Sequence, residues 1–137
     1  MANSSAVAGE QQHPKLLDAI LRHKPIDKWL QDEHRGLLSM SDHRGWRPLT
    51  WAAFFGNAGA IVLLLEAGVD ADQQTKYGAP LFLACMRDHA KCAELLLGAG
   101  ASVDLAAAYG QTPLYFACYE GHIQCAQLLS SYGANRD

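Results

Sequence analysis

The sequence predicts an all-α solenoid of stacked helix-turn-helix units, and three regularities support this prediction. Pro-Leu pairs recur at intervals of 32 and 33 residues, beginning at Pro48, Pro80 and Pro113. A glycine follows each of these prolines by 20 residues, at Gly68, Gly100 and Gly133. Leucine-rich runs lie between each proline and its glycine. A repeat of about 33 residues is typical of supersecondary units that stack along one axis.

Each unit is predicted to contain two short helices. Proline fits the first turn of a helix, where its missing N–H would have no partner, so the three prolines mark helix starts. A turn follows at Gly56-Asn57, Asp88-His89 and Gly121-His122. The second helix ends at the repeated glycine. The polar stretch before the next proline predicts an extended, hairpin-like loop, and helices this short must pack against their neighbours to be stable.

Three segments of the chain resemble the ankyrin repeat, whose signature joins a T-P-L-H helix start to an L-L-L-x-x-G-A helix end. The matching segments read DHRGWRPLTWAAFFGN, YGAPLFLACMRDH and YGQTPLYFACYEGH. The resemblance implies a solenoid of helix pairs with projecting loops. In the family, the Thr and His of T-P-L-H help to tie loops together, but here those positions hold Arg47, Ala79, Thr112, Thr50, Phe82 and Tyr115. We therefore expect that hydrogen-bond network to be weakened. The second repeat is also one residue short before Pro80.

The domain boundaries follow from these matches. Residues 1–13 are small and polar and predict a flexible leader. Residues 14–137 form the repeat domain, divided into a degenerate capping repeat and three full repeats, at 14–41, 42–72, 73–104 and 105–137. In the capping repeat, Pro14 and Pro25 are each predicted to begin a helix.

Composition excludes several classes of function. Half of the residues are apolar, the formal net charge is −3, and no dense Lys/Arg block is present, which argues against nucleic-acid binding. No apolar run approaches the roughly 20 residues of a membrane span. The first residues lack a signal-peptide pattern, so we expect an intracellular protein in the cytoplasm, or also in the nucleus.

Six histidines and four cysteines offer candidate metal ligands. The pairs His89/Cys92 and His122/Cys125 share an H-x-x-C spacing that can bind zinc, but they occupy equivalent repeat positions. We therefore interpret the two histidines as turn residues and the two cysteines as buried core residues. Cys85 and a fourth cysteine, Cys118, are interpreted as reduced core thiols at a close helix approach. Gly98-Ala-Gly100 ends a helix, so it does not predict a phosphate loop. We expect no enzyme activity, no metal and no cofactor.

A protein-binding surface is the remaining prediction. The resemblance implies that a partner protein or peptide contacts the hairpin tips and the exposed side of each first helix, a concave face. The corresponding residues are His43, Arg44, Trp46, Phe54, Phe55, Lys76, Tyr77, Met86, Arg87, Tyr109, Gln111, Tyr119 and Glu120. Aromatic residues, Met and Arg are enriched at interface centres. Trp51 and Phe116 are expected to be partly buried between helices.

The sequence thus predicts a non-catalytic interaction module or adaptor that is monomeric alone. Two alternatives stay open. The chain can be the substrate-recognition part of a longer adaptor that carries a SOCS box and recruits a ubiquitin ligase, a type of protein that the ending LLSSYGANR also resembles. It can instead be a structural module that associates with itself through its carboxyl-terminal face.

Overall fold

The computed structural model describes residues 4–42, 44–107 and 109–134, although the side chains of residues 4–12 and 32–34 lie outside the description. Seven α-helices and two 3₁₀ helices form this part of the chain. The α-helices are α1 (Ser4–Leu21), α2 (Pro48–Phe54), α3 (Ala58–Glu66), α4 (Pro80–Met86), α5 (Ala90–Gly98), α6 (Pro113–Glu120) and α7 (Ile123–Ser131). The 3₁₀ helices span Asp27–Leu30 and Asp32–Ser39. The predicted all-α class is confirmed.

The amino-terminal part differs from the sequence prediction. α1 begins at Ser4 and contains Pro14, so the prediction that Pro14 begins a helix is wrong, and helix covers most of the segment assigned to a leader. Alanine, glutamine and glutamate, all good helix formers, are frequent between Ala6 and Gln12. The helix predicted after Pro25 is a pair of 3₁₀ helices. Ile26 and Trp29 are both buried, and their spacing of three matches the 3₁₀ period.

The three full repeats follow the predicted plan. α2, α4 and α6 each begin with the expected proline in the first turn. The bends after them carry left-handed backbone at Gly56, Asp88 and Gly121, with φ of 75°, 57° and 76°. Each second helix ends two residues before its repeated glycine, whose φ lies between 85° and 92°. These glycines supply the left-handed conformation that ends a helix without a Cβ penalty.

Stacking of the repeats buries the apolar side of every helix. α4 packs between α2 and α6, and α5 packs between α3 and α7, which produces two layers of helices. Leu49, Ile61, Leu64, Leu96 and Leu129 are fully buried in one continuous core. Burying a large aliphatic side chain contributes roughly 1.5–3 kcal/mol. The first helix of each repeat is thereby held against the first helix of the next.

Side chains at the bends tie each repeat to the one before it. The Asn57 amide donates to the carbonyl oxygen of Ile20 at 3.0 Å. His89 Nε2 lies 3.0 Å from the carbonyl oxygen of Phe54, and His122 Nε2 lies 3.2 Å from that of Met86. A carbonyl oxygen only accepts, so Nε2 carries the hydrogen in both histidines. We call these three contacts the bend ladder.

The expected weakening of the Thr/His network agrees with the observed contacts. Only the last of the three positions before the prolines provides a side-chain cap in the described chain, where the Thr112 hydroxyl accepts from the Tyr115 amide at 3.1 Å. The Thr50 hydroxyl is buried and has no hydrogen-bond partner among the described residues. The bend ladder therefore supplies polar links between repeats that the altered helix starts lack.

The loops between repeats close in tight turns at their tips. In the first, the Asp42 amide donates to the Trp46 carbonyl oxygen at 2.8 Å. Thr75 and Gly78 form an isolated antiparallel bridge in the second. In the third, the Ala107 amide donates to the Gln111 carbonyl oxygen at 2.7 Å. These tips place residues of the loops beside the first helices.

Candidate functional site

A groove lies between the second and third hairpin tips and the helices α4 and α6. It encloses a cavity of about 490 Å³. The tips contribute five of the lining residues and the helices contribute the other three: Lys76, Tyr77, Ala107, Tyr109 and Gln111, then Phe82, Met86 and Phe116. Five of these were named from the sequence as partner-binding residues. We refer to this cavity and its rim as the tip groove.

The tip groove is built by repeat stacking. Phe82 lies in the first turn of α4, at the position where the family signature has His. The centroid of its ring lies 5.4 Å from the ring centroid of Phe116 in α6. Phe82 is buried and Phe116 is half-buried, so the pair forms the floor of the groove. Sequence analysis did not select Phe82 or Ala107. The departure of Phe82 from the signature was the signal that could have identified it.

A second group of rings continues from the tip groove toward the first repeat. The rings of Trp46 and Phe54 have centroids 5.0 Å apart, and the rings of Trp46 and Tyr77 have centroids 6.1 Å apart. Trp46 is only 5% exposed, because it packs with Phe82 and Leu83. The prediction that Trp46 is a surface anchor is therefore wrong. It supports Phe54 and Tyr77 from below.

Asp42 organises the first hairpin tip, and sequence analysis did not select it as a site residue. Its Oδ1 accepts from the backbone amides of Arg44 at 2.8 Å and Trp46 at 3.0 Å. Its Oδ2 accepts from the indole N–H of Trp51 at 2.8 Å. The signal was its place as the first residue of the matching segment DHRGWRPLTWAAFFGN. Asp42 fixes where Arg44 and Trp46 stand relative to α2.

The remaining predicted residues divide by exposure. Tyr109 is 92% exposed and Tyr119 is 76% exposed, and Tyr77 is also exposed. Phe54, Phe55, Met86 and Gln111 are half-buried. Arg44, Lys76, Arg87 and Glu120 are exposed, whereas His43 lies outside the described residues. Trp51 and Phe116 are half-buried, as expected. The exposed and half-buried members leave apolar surface open to a partner.

Three of the exposed cations lie over aromatic rings. The Arg44 guanidinium carbon is 5.7 Å from the Trp46 ring centroid, and the Arg87 guanidinium carbon is 4.8 Å from that of Phe54. Lys76 Nζ is 5.1 Å from the Tyr77 ring centroid. A cation held over a ring face keeps its charge while it covers apolar surface. We call the surface that these cations and the rings of Phe54 and Tyr77 form the groove side of the first two repeats. It is both aromatic and positively charged.

The histidine and cysteine pairs have structural surroundings. His89 and His122 donate to carbonyl oxygens in the bend ladder, and Cys92 and Cys125 are buried in the core. Burial raises the pKa of Cys92 to about 11. Within the described ranges, no group of three or more His, Cys, Asp or Glu side chains could hold a metal ion. These contacts explain the H-x-x-C spacing by packing and hydrogen bonding.

The other two cysteines have different surroundings. A side-chain hydrogen bond with Cys125, together with burial, raises the pKa of Cys85, so this thiol stays protonated. Cys118 is exposed, and the prediction that it is a core thiol is wrong. Its equivalents Ala53 and Cys85 are fully buried because the following repeat covers them. No described helix pair follows α6 and α7, so Cys118 stays uncovered.

Comparisons with known proteins bear on the whole site. A family model described as ankyrin repeats, in three copies, matches residues 49–137. This range is more than half of the chain and contains both helices of each full repeat except the first residue of α2. Comparison with curated proteins gave no match. In the described residues, no helix is both long and apolar enough to cross a membrane.

Proposed function

Because the chain belongs to the ankyrin-repeat family, whose members generally act as protein-protein interaction modules and are typically non-catalytic, we propose that it is a binding module or adaptor. The tip groove and the neighbouring rings, on the concave face expected for the family, hold a segment of a partner protein or peptide. The observation that carries this proposal is the cavity of about 490 Å³, which is lined mainly by aromatic residues and Met86.

The scaffold behind the groove supports this proposal. α4 and α6 bury one side in the core, and the bend ladder holds the carbonyl oxygens of Phe54 and Met86. A groove whose walls are already ordered loses little conformational entropy when a partner binds. Such a groove can therefore bind a flexible segment with useful affinity.

Roles follow from exposure. Phe54, Phe55, Tyr77, Met86, Tyr109 and Tyr119 provide apolar contact area, since each is exposed or half-buried. Arg44, Lys76, Arg87, Gln111 and Glu120 provide polar contacts around them. Trp46 contributes by positioning Phe54 and Tyr77. His43 is retained as a proposed contact from its place in the sequence, between Asp42 and Arg44.

The experiment uses exposed tyrosines, whose replacement leaves the core intact. Peptides are selected from a displayed random library on the wild-type protein, and their affinities are measured for the double variant Tyr77→Ser/Tyr109→Ser. We expect at least about a tenfold loss, as for hot-spot aromatic residues. The control is Tyr132→Ser, an exposed tyrosine beyond α7 that does not line the groove. Peptides that bind the double variant and the control equally well contradict the proposal.

A second candidate function is self-association through the end of the stack. Tyr115 is 57% exposed and Ile123 is 67% exposed, and Cys118 and Tyr119 are exposed beside them. In the preceding repeats, the equivalents of Tyr115 are Phe82 and Thr50, and both are buried. Among the described residues, this surface resembles an interface between repeats on which no further repeat is packed. Tyr119 belongs to both candidate surfaces.

Sedimentation over a range of concentrations separates the two candidates. A partner-binding module that is monomeric alone keeps one mass at all concentrations. A self-associating module gains mass, and Ile123→Glu restores the monomer because a charge is costly in an apolar contact. The ubiquitin-ligase adaptor stays a prediction, because no observation on the described residues bears on it.

An intracellular location is also part of the proposal. Three of the four cysteines are buried among apolar side chains, where each fills a position that the repeat requires to be small. Their presence is thus explained without an oxidising compartment.

A further inference from the structure

We propose that the segment bound by the tip groove is acidic and carries one large apolar side chain. This inference rests on the proposed function and specifies the chemistry of the partner. The apolar side chain enters the cavity, and Asp or Glu carboxylates beside it contact Arg44, Lys76 and Arg87. Three sets of observations carry the inference: the arrangement of the cations, their lack of carboxylate partners among the described residues, and the cavity.

The three cations belong to one continuous cluster. Arg87 lies over Phe54, Phe54 contacts Trp46, and Trp46 contacts Tyr77, whose ring also lies under Lys76. Arg44 lies over Trp46 at the centre of this series. The charges therefore stand around one apolar surface. A carboxylate that approaches this surface is attracted by the nearest cation, and the other two add a longer-range attraction.

These cations differ from Arg22 and Lys91 in their partners. Arg22 pairs with Asp18 at 2.8 Å, and Lys91 approaches Glu94 to 3.9 Å. Among the described residues, no ion pair joins Arg44, Lys76 or Arg87 to a carboxylate. The oxygens of Asp42, close to Arg44 in sequence, accept instead from backbone amides and from the Trp51 indole. The positive charge on the groove side is thus available to a ligand.

This local charge opposes that of the whole chain. The formal net charge is −3, so a general attraction to acidic ligands is not expected from composition. One repeat after Arg87, the equivalent position holds Glu120. The positive charge is therefore limited to the first two repeats, so the two ends of the groove differ in charge. Acidic residues of the ligand should lie toward the first repeat, and the apolar anchor toward α6.

The cavity fits the apolar part of such a ligand. Its volume of about 490 Å³ lies within the range of roughly 300–1,000 Å³ found for ligand sites. Phe82, Met86 and Phe116 supply an apolar lining, while Lys76 and Gln111 stand at the polar tips. A single aromatic or leucine side chain with its adjoining backbone can enter, and its neighbours then lie beside the cations.

The test uses the random peptide library described above. The wild-type protein should select peptides in which Phe, Tyr, Trp or Leu stands next to Asp or Glu. Their affinity should fall at least about tenfold for Lys76→Glu/Arg87→Glu, because both side chains are exposed and reversal adds repulsion. Selection on that variant should favour Lys and Arg beside the anchor. Increasing salt should lower the affinity of the peptides selected on the wild-type protein more for that protein than for the variant.

The matched control reverses two cations elsewhere on the surface. Arg22→Glu/Lys91→Glu changes the net charge by the same amount but leaves the groove side unaltered. Affinities should stay within about twofold of wild type. Circular dichroism and thermal melting confirm that both double variants are folded. An equal loss in the two variants would show that only the overall charge matters, which would overturn the proposal.

The possible results separate this inference from the proposed function. Peptides that need Tyr77 and Tyr109 but show no acidic preference overturn the inference and leave groove binding intact. Peptides that are insensitive to every groove variant overturn both. If the library contains no binder, or if only basic peptides are selected, the inference is also overturned. Acidic preference that is lost in the charge-reversed variant alone supports it.

Discussion

Replacement of Gly56 by alanine tests whether the bend ladder holds the repeats together. Gly56 has φ of 75°, and a Cβ built on it would lie 2.7 Å from Cε1 and 2.8 Å from Nδ1 of His89. The same ring donates to the Phe54 carbonyl oxygen at 3.0 Å. Gly121 is a matched control, since its φ is 76° and a Cβ there meets nothing within 4 Å. The two substitutions therefore differ in one neighbour.

The expected magnitudes follow from these contacts. A left-handed alanine costs about 1–2 kcal/mol, so Gly121→Ala should lower the free energy of unfolding by that amount. Gly56→Ala carries the same cost and also displaces the His89 ring. Loss of the hydrogen bond to Phe54 adds about 1 kcal/mol, and an unpaired buried group adds more. Gly56→Ala should thus lower the free energy of unfolding by about 1–2 kcal/mol more than Gly121→Ala does.

Urea denaturation of six proteins measures this difference. They are the wild type, each glycine variant, His89→Ala, and His89→Ala combined with each glycine variant. In the His89→Ala background the ring is absent, so the cost of Gly56→Ala should fall to that of Gly121→Ala. Equal costs in the wild-type background would refute the reasoning. A cost of Gly56→Ala that persists without His89 would refute it too.

Three further predictions concern buried polar groups and thiols. Thr50→Val removes a fully buried hydroxyl that has no partner among the described residues, so the free energy of unfolding should be unchanged or rise by about 1 kcal/mol in urea denaturation. A maleimide should label Cys118 in the native protein, whereas Cys85, Cys92 and Cys125 should react only in denaturant, as read by mass spectrometry. The folded protein holds the Cys92 proton more tightly than the unfolded chain, because its pKa rises from 9.0 to about 11. Stability from this group is therefore fully present below pH 9.0 and lost as the pH rises to about 11, and Cys92→Ala should remove about 2–3 kcal/mol of that pH dependence.

Helix starts and ends could be predicted from the sequence because they depend on local backbone chemistry. Pro48 and its two equivalents fix φ and lack an N–H, and the repeated glycines adopt the left-handed conformation at helix ends. These constraints act within a few residues, so a single chain reveals them. The same local reasoning gave the wrong start for α1, because proline favours the first turn of a helix, whereas Pro14 lies inside α1.

Exposure in the candidate site was harder to predict because it depends on the next repeat. Trp46 is buried by Phe82 and Leu83, residues more than 30 positions later in the chain. Cys118 has the same repeat position as Cys85 but is exposed, and no helix pair follows its repeat in the described part of the chain. The spacing in the sequence indicates which positions are equivalent between repeats. It does not state which of them a neighbour covers.

The repeat period nevertheless explains which residues meet across the groove. Phe82 and Phe116 are separated by about one repeat, as are Phe54 and Arg87, and both pairs are in contact. Stacking places a residue beside its counterpart in the next unit, so a cation one repeat after an aromatic residue lies near that ring. Two of the three ladder carbonyls belong to Phe54 and Met86, which are both proposed binding residues. Loss of His89 should therefore shift the backbone beneath Phe54 and with it the ring under Arg87. The spacing of Arg44, Lys76 and Arg87 is set by this stack. Substitutions in the bend should therefore weaken the binding of acidic peptides, although the bend residues lie outside the proposed contact surface.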